Sequence, residues 1–175
     1  WKKNVFGFNV GIGFGERAPS ISEGYGFYLF NSFDRFDYVG NPDLKNEQSM
    51  EGSFAISYKP SKFKASLTTS YFHISNYIIG TPNSSIYAMT IGASGVKVYT
   101  ALDYATLIKS VFDFETYLSN SLKWTNQFTY SYGKGSDDEN LPFISPLAYN
   151  SKLQFKKNKF SSEVAIIGNL IHNNY

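Results

Sequence analysis

The sequence of 175 residues contains no cysteine and only two histidines, His73 and His172, so it offers no thiol and few imidazole groups. The histidines are about a hundred residues apart, and no neighbouring residues complete a catalytic set or a metal site. No apolar run approaches the roughly 18 residues that a transmembrane helix requires. The net charge of +2 is too small to indicate nucleic-acid binding. These absences argue against an enzyme, against a metal or cofactor site, and against a nucleic-acid partner.

Aromatic residues and glycine are plentiful instead, with 16 Phe, 14 Tyr, 2 Trp and 14 Gly. Between Phe6 and Gly15, apolar residues alternate with glycine or asparagine, and a second alternating segment follows Ser49. Successive side chains of a strand point to opposite faces, so each segment predicts a strand with one apolar and one small or polar face. Such alternation with many aromatics is typical of membrane β-barrels. We expect Phe6, Phe8, Val10 and Ile12 to contact lipid, and Gly7, Asn9, Gly11 and Gly13 to face inward.

The alternation predicts about seven strands, near residues 4–16, 49–59, 63–79, 102–117, 122–133, 149–156 and 160–170. The connections alternate long and short, which is the pattern of an antiparallel up-and-down barrel with long outer loops. Gly92 to Gly95 form the predicted tip of the connection 80–99. Nine lysines cluster at the end of the short turns: Lys2, Lys3, Lys59, Lys62, Lys64, Lys123, Lys156, Lys157 and Lys159.

Seven strands cannot close a barrel made by one bacterial chain, because such barrels have an even number of strands. An open sheet would leave two edges of unpaired N–H and C=O groups, which lipid cannot satisfy. We therefore expect the chain to be a piece of a larger barrel whose remaining strands come from elsewhere.

Two short motifs flank the first long loop. Arg17-Ala18-Pro19-Ser20 ends the first strand, and Gly40-Asn41-Pro42-x-Leu44-Lys45-x-Glu47-x-Ser49 leads into the second. This pattern resembles the barrel of the TonB-dependent receptors, which are transporters of the Gram-negative outer membrane. The family motif comprises Arg17, Pro19, Gly40, Asn41, Pro42, Leu44 and Glu47.

The resemblance implies that residues 1–175 belong to one all-β, antiparallel, transmembrane barrel domain of roughly 22 strands. These strands would fall in its C-terminal half, and the plug domain and the TonB box would lie outside this chain. The implied activity is energised uptake of a scarce nutrient such as a siderophore, haem or cobalamin. The implied partners are outer-membrane lipid, the remaining strands, the plug, the TonB system and the nutrient.

The loop between the motifs contains seven aromatic residues: Tyr25, Phe27, Tyr28, Phe30, Phe33, Phe36 and Tyr38. They suit either contact with a ligand or the aromatic girdle at the membrane interface. Arg17 can grip an anionic group with its planar fork, or it can pair with Glu16 or Glu51 inside the barrel. As candidate substrate-binding residues we take Arg17, Tyr25, Phe27, Tyr28, Phe36 and Tyr38.

Other patterns favour no further site. Gly11, Gly13 and Gly15 lie within an alternating strand without a following helix, so they do not predict a nucleotide loop. The acidic run 136–140 lacks the spacing of a calcium loop. Two alternative classes remain open: a small eight-stranded outer-membrane barrel acting as an adhesin or structural protein, and a soluble β-sandwich binding module.

Overall fold

The computed structural model describes residues 5–145 and 147–170, and the chain is built almost wholly from β-strands. Seven strands form one antiparallel sheet in the order β1-β4-β5-β6-β7-β8-β9, which we call the wall. They are β1 (Phe6–Arg17), β4 (Glu47–Tyr58), β5 (Phe63–Pro82), β6 (Gly95–Ser119), β7 (Leu122–Gly135), β8 (Ala148–Lys157) and β9 (Phe160–Asn169). Each wall strand lies beside its neighbour along the chain, as the predicted meander of seven strands requires. In the part of the chain that the structure describes, no helix is long and apolar enough to cross a membrane.

The register of the wall places apolar and polar side chains on opposite faces. One row across the sheet runs Phe8, Ile56, Leu67, Phe112, Phe128 and Tyr149. The adjacent row runs Gly7, Ser57, Ser66, Asp113, Gln127 and Asn150. We call the face of the first row the outer face and that of the second the inner face. The inner face is concave and polar, with a depression of about 540 Å³ lined by Ser66, Asp113, Gln127 and Lys152 among others.

The wall is open. Within residues 5–145 and 147–170, β1 pairs only with β4 and β9 only with β8, so the two outer strands do not meet. The described strands therefore do not form a small closed barrel, and the single sheet has no second sheet packed against it as a sandwich requires.

Two wall strands extend further than the alternation predicts. The prediction ended the third strand at residue 79 and began the fourth at 102, but Gly80 pairs with Tyr99 and Pro82 with Lys97. The connection is therefore residues 83–94, which we call the hairpin loop. Gly92 has a positive φ of 85° and Ala93 N–H donates to Thr90 O at 3.0 Å, so a turn lies within the predicted tip.

The loop between β1 and β4 is structured, which the prediction of a long loop missed. Residues 18–46, here the mouth loop, contain α1 (Ile21–Tyr25), β2 (Leu29–Asn31) and β3 (Phe36–Val39). Strands β2 and β3 form an antiparallel hairpin, and β3 pairs in parallel with β6 from Gly95 to Val98. The few buried apolar residues lie at this end of the wall: Tyr38, Ile78, Val96, Ala105 and Leu141.

Candidate functional site

Arg17 anchors the mouth loop to the end of the wall. Its Nη1 and Nη2 donate to the two carboxylate oxygens of Glu23 at 2.7 and 3.1 Å, and its Nε donates to Glu47 Oε2 at 2.7 Å. The predicted partners Glu16 and Glu51 are wrong, because Glu23 and Glu47 take up the guanidinium. The bidentate contact is the strong form of an arginine–carboxylate pair.

Glu23 also closes the start of α1. Ser20 Oγ accepts a hydrogen bond from Glu23 N–H at 3.2 Å, and Ser20 N–H donates to Glu23 Oε2 at 2.6 Å. This capping box satisfies two backbone donors that a helix start would leave free. Burial opposes ionisation of Glu23, but the hydrogen bonds from Arg17 and Ser20 outweigh it and lower the pKa of the carboxyl.

The second family motif holds the other end of the mouth loop. Gly40 N–H donates to Gly26 O at 2.7 Å and Asn41 N–H to Glu23 O at 2.8 Å. A Cβ at Gly40 would lie 2.5 to 2.8 Å from the backbone of residues 24–26, so no larger residue fits there. Glu47 Oε1 accepts from Ile78 N–H at 2.7 Å, which ties the motif to β5. These motif residues therefore shape the loop.

Asp37 joins the mouth loop to the hairpin loop. It is fully buried, and its Oδ2 accepts hydrogen bonds from the backbone N–H groups of Met89 at 2.8 Å and Thr90 at 2.9 Å. The bond from Thr90, with that from Met89, holds the pKa of Asp37 below its usual value. The sequence alone does not point to this residue, because one acid within an acidic loop gives no local signal.

Lys97 forms a second connection between β3 and β6. Its Nζ lies 2.7 Å from Asp34 Oδ2 and 4.6 Å from the centre of the Phe36 ring. Tyr38 Oη donates to the same carboxylate oxygen at 2.7 Å. Burial opposes ionisation of Asp34, but the bonds from Lys97 and Tyr38 keep its pKa lowered.

The structure divides the candidate aromatic residues into two groups. Tyr25 and Phe27 are 76% and 73% exposed, and the ring of Tyr28 packs edge-on against Phe27. In contrast, Tyr38 is only 6% exposed and Phe36 is partly buried against Gly95. Tyr25 and Phe27 thus leave most of their side chains exposed, whereas Phe36 and Tyr38 fasten the loop to the wall.

The mouth loop crosses the inner face. The ring of Tyr38 lies against Gly80 and 5.2 Å from the ring of Tyr99. Arg17 and Glu47 pair with each other in the unbroken β1–β4 register, on the same face as the inner residues Gly7 and Ser57, and Arg17 holds Glu23 of the loop. The loop therefore folds over the concave side of the wall.

Further apolar side chains are exposed on the neighbouring loops. Tyr87, Met89 and Ile91 project from the hairpin loop, and Phe33 of the mouth loop contacts Phe143 with ring centres 6.1 Å apart. Of these, only Phe33 belonged to the predicted aromatic set. Single apolar residues in separate loops form no sequence pattern, so only the fold brings them to one end.

No group of three His, Asp or Glu residues within 5–145 and 147–170 converges to hold a metal ion. In the acidic run 136–140, Asp138 pairs with Lys134 at 2.7 Å. His73 stacks on Tyr104 with ring centres 5.2 Å apart. His172 lies outside the described residues.

No known protein family matches the chain by its sequence profile, and no curated protein sequence matches it. Solved structures do match. The copper transporter OprC is 22% identical with a TM-score of 0.74, over 92% of this chain and 24% of OprC. The siderophore receptor PirA of Pseudomonas aeruginosa is 18% identical with a TM-score of 0.68, over 93% of this chain and 31% of PirA.

The ferric enterobactin receptor PfeA of Pseudomonas aeruginosa, solved as the R480A mutant with enterobactin, is 19% identical with a TM-score of 0.70. That match covers 94% of this chain and 26% of PfeA. At these identities the likeness establishes the fold: the chain has the fold of part of the barrel of TonB-dependent receptors. It spans 24% to 31% of these neighbours' lengths, and they are a transporter and receptors, not enzymes.

Proposed function

We propose that this chain forms part of the barrel of an outer-membrane receptor that takes up a scarce nutrient with energy relayed through TonB. One observation carries the proposal: an ordered loop is tied across the concave inner face at one end of an open barrel wall. A receptor needs such an element where a ligand enters the lumen. The neighbours, which include a copper transporter and a siderophore receptor, support a metal or metal chelate as the cargo class.

In this proposal the long-loop end faces the exterior of a Gram-negative cell, and lipid covers the outer face. The apolar outer side chains suit this, since Val10, Ile12 and Phe14 are each about four-fifths exposed. The unpaired edges of β1 and β9 take further strands of the barrel, because lipid offers no hydrogen bonds to them. A plug within the barrel and the TonB system complete the transporter.

Tyr25 and Phe27 are the proposed ligand contacts of this chain, with Tyr28 beside them. Large aromatic faces give contact area at low cost in side-chain entropy. Arg17 is proposed to act by holding the loop, because both edges of its guanidinium already meet carboxylates.

The test is uptake by cells that produce the full-length protein in place of their own receptors. Radiolabelled ferric enterobactin and cupric ion serve as cargo probes, and a protonophore or removal of TonB tests energisation. We expect saturable binding of one probe class. This binding should persist in the presence of the protonophore, whereas uptake of the same probe should stop. Uptake that is unaffected by both treatments, at the rate of simple diffusion, would contradict energised transport.

A further inference from the structure

Six exposed lysines crowd the short-turn end of the wall: Lys59, Lys62, Lys64, Lys156, Lys157 and Lys159. None of them lies within 4 Å of a carboxylate in the described part of the chain. Residues 58–64 and 155–162 contain no acid at all. Lys2 and Lys3, predicted to join this cluster, lie outside the described residues. The short-turn end therefore carries uncompensated positive charge that the proposed transport function does not use.

A belt of aromatic rings crosses the outer face directly beside these lysines. Ring centres are 4.8 Å apart for Phe6 and Tyr58, then 6.1, 4.9 and 5.6 Å along the series Tyr58, Phe63, Phe114 and Trp124. Further along the same end, Phe155 and Phe160 lie 6.1 Å apart. Such belts mark the depth at which acyl chains give way to headgroups.

The alternation of β8 separates the lysines by face. Leu153, Phe155 and Lys157 point outward, and Lys157 pairs with Phe160. Lys156 pairs with Ser161 on the inner face, in line with Lys152 and Gln154. In the same way Phe63 belongs to the outer belt, whereas Lys64 lines the inner depression. Of the two adjacent lysines of β8, Lys157 therefore lies on the lipid side and Lys156 on the lumen side.

We propose that Lys157 and the turn lysines Lys62 and Lys159 bind the phosphate groups of anionic phospholipids in the leaflet at the short-turn end. This inference rests on the proposed membrane-spanning barrel. The aromatic belt sets the depth, and flexible lysine stems reach from it to the headgroups. The occupant follows from charge complementarity, since a phosphodiester supplies the anion that the protein lacks here. An acidic soluble protein would fit the charge but would leave the adjacent belt without a role.

The experiment compares two charge-matched variants of the full-length protein in phosphatidylcholine vesicles with and without phosphatidylglycerol. The test variant is Lys157→Gln with Lys159→Gln, and the control is Lys64→Gln with Lys156→Gln. Spin-labelled phosphatidylglycerol and phosphatidylcholine report lipid selectivity, and heat-modifiability on a gel reports folding. We expect the test variant to lose selectivity for the anionic lipid by up to about fivefold per lysine at low salt. The control variant should keep its selectivity for the anionic lipid. High salt should abolish that selectivity in the parent protein.

Equal loss in both variants would overturn the proposal, since it would mean that only net charge matters. Absence of anionic selectivity in the parent protein would overturn it as well. If the test variant kept its lipid selectivity but lost binding to an acidic periplasmic protein, the lysines would serve that partner instead. A full-length protein that fails to insert into neutral vesicles would contradict the barrel proposal itself, and heat-modifiability reveals that failure before lipid selectivity is measured.

Discussion

The buried carboxylate of Asp37 accepts a hydrogen bond of 2.9 Å from the backbone N–H of Thr90, so that the mouth loop and the hairpin loop are fastened to each other. These residues are far apart in sequence, and the bond exists only because β3 lies parallel to β6. The contact fixes the two loops relative to each other at the long-loop end.

Replacing Asp37 by Ala should free the hairpin loop, because two backbone donors lose their shared acceptor. We expect cleavage within residues 83–94 by added protease to become several times faster, while the wall stays intact. Asp43→Ala is the matched control, since Asp43 is an exposed acid of the same loop. Equal protease sensitivity of the two variants would show that the bond does not hold the loop.

The same contact should resist mild acid. The pKa of Asp37 is lowered from 3.8, so the stability that it contributes is present above that value and is lost as pH falls through the lower folded value. Protease sensitivity of the hairpin loop should therefore be constant between neutral pH and about pH 4 and should rise only below it. An onset near pH 6 would contradict the lowered pKa.

Substitution of Glu47 tests whether Arg17 holds the mouth loop or binds the cargo directly. If Arg17 holds the loop, Glu47→Gln should loosen the mouth loop and weaken ligand binding, as Arg17→Gln does. If Arg17 instead binds an anionic cargo, Glu47→Gln would release its guanidinium and strengthen binding. We expect the first result, measured as cargo affinity on whole cells beside protease sensitivity of the mouth loop.

Truncation of Tyr25 and Phe27 should weaken cargo binding without loosening the loop. We expect a combined loss of about 1–3 kcal/mol, as for well-placed aromatic contacts in interfaces. Ile21→Ala, which removes another exposed apolar side chain from the helix that contains Tyr25, is the control. Unchanged affinity in the double variant, with the control also unchanged, would place the ligand site on other loops.

Gly80→Ala should disturb the mouth loop at the point where Tyr38 packs on β5. A methyl group there would collide with the ring of Tyr38, whereas a methyl at Gly52 would meet no atom within 4 Å. Overpacking of this kind costs about 1–3 kcal/mol. We expect Gly80→Ala, but not Gly52→Ala, to increase protease sensitivity of residues 18–46. The reverse order would contradict the packing of Tyr38 on the wall.

The two faces of β1 should respond differently to charge. Phe8→Arg places a cation on the outer face and should cost about 2–4 kcal/mol if it lies near the bilayer midplane. Asn9→Arg, on the inner face opposite Ala55, should cost far less. Reversible unfolding of the full-length protein in lipid vesicles measures both. Equal costs would mean that the faces are assigned wrongly.

The alternation of apolar with small or polar residues predicted the wall, because this alternation is a local property of each strand. Phe6 to Gly15 alternates without a break, and the strand observed there, β1, spans Phe6–Arg17. The mouth loop follows no such pattern. Its helix has five residues, too few for a helical period, and the pairing of β3 with β6 depends on residues that are distant in sequence. Asp37 and Lys97 matter through those distant contacts, which no local pattern contains.

The unequal length of neighbouring strands has a mechanical consequence. Strand β6 begins at Gly95 but meets β7 only from Ala105 onward, so its first part rises above β7 with only β5 and β3 beside it. At about 3.3 Å per residue, this projection measures on the order of 30 Å along the strand. In the proposed outer-membrane barrel, this projection would hold the exposed side chains of Tyr87 and Ile91 well beyond the end of β7.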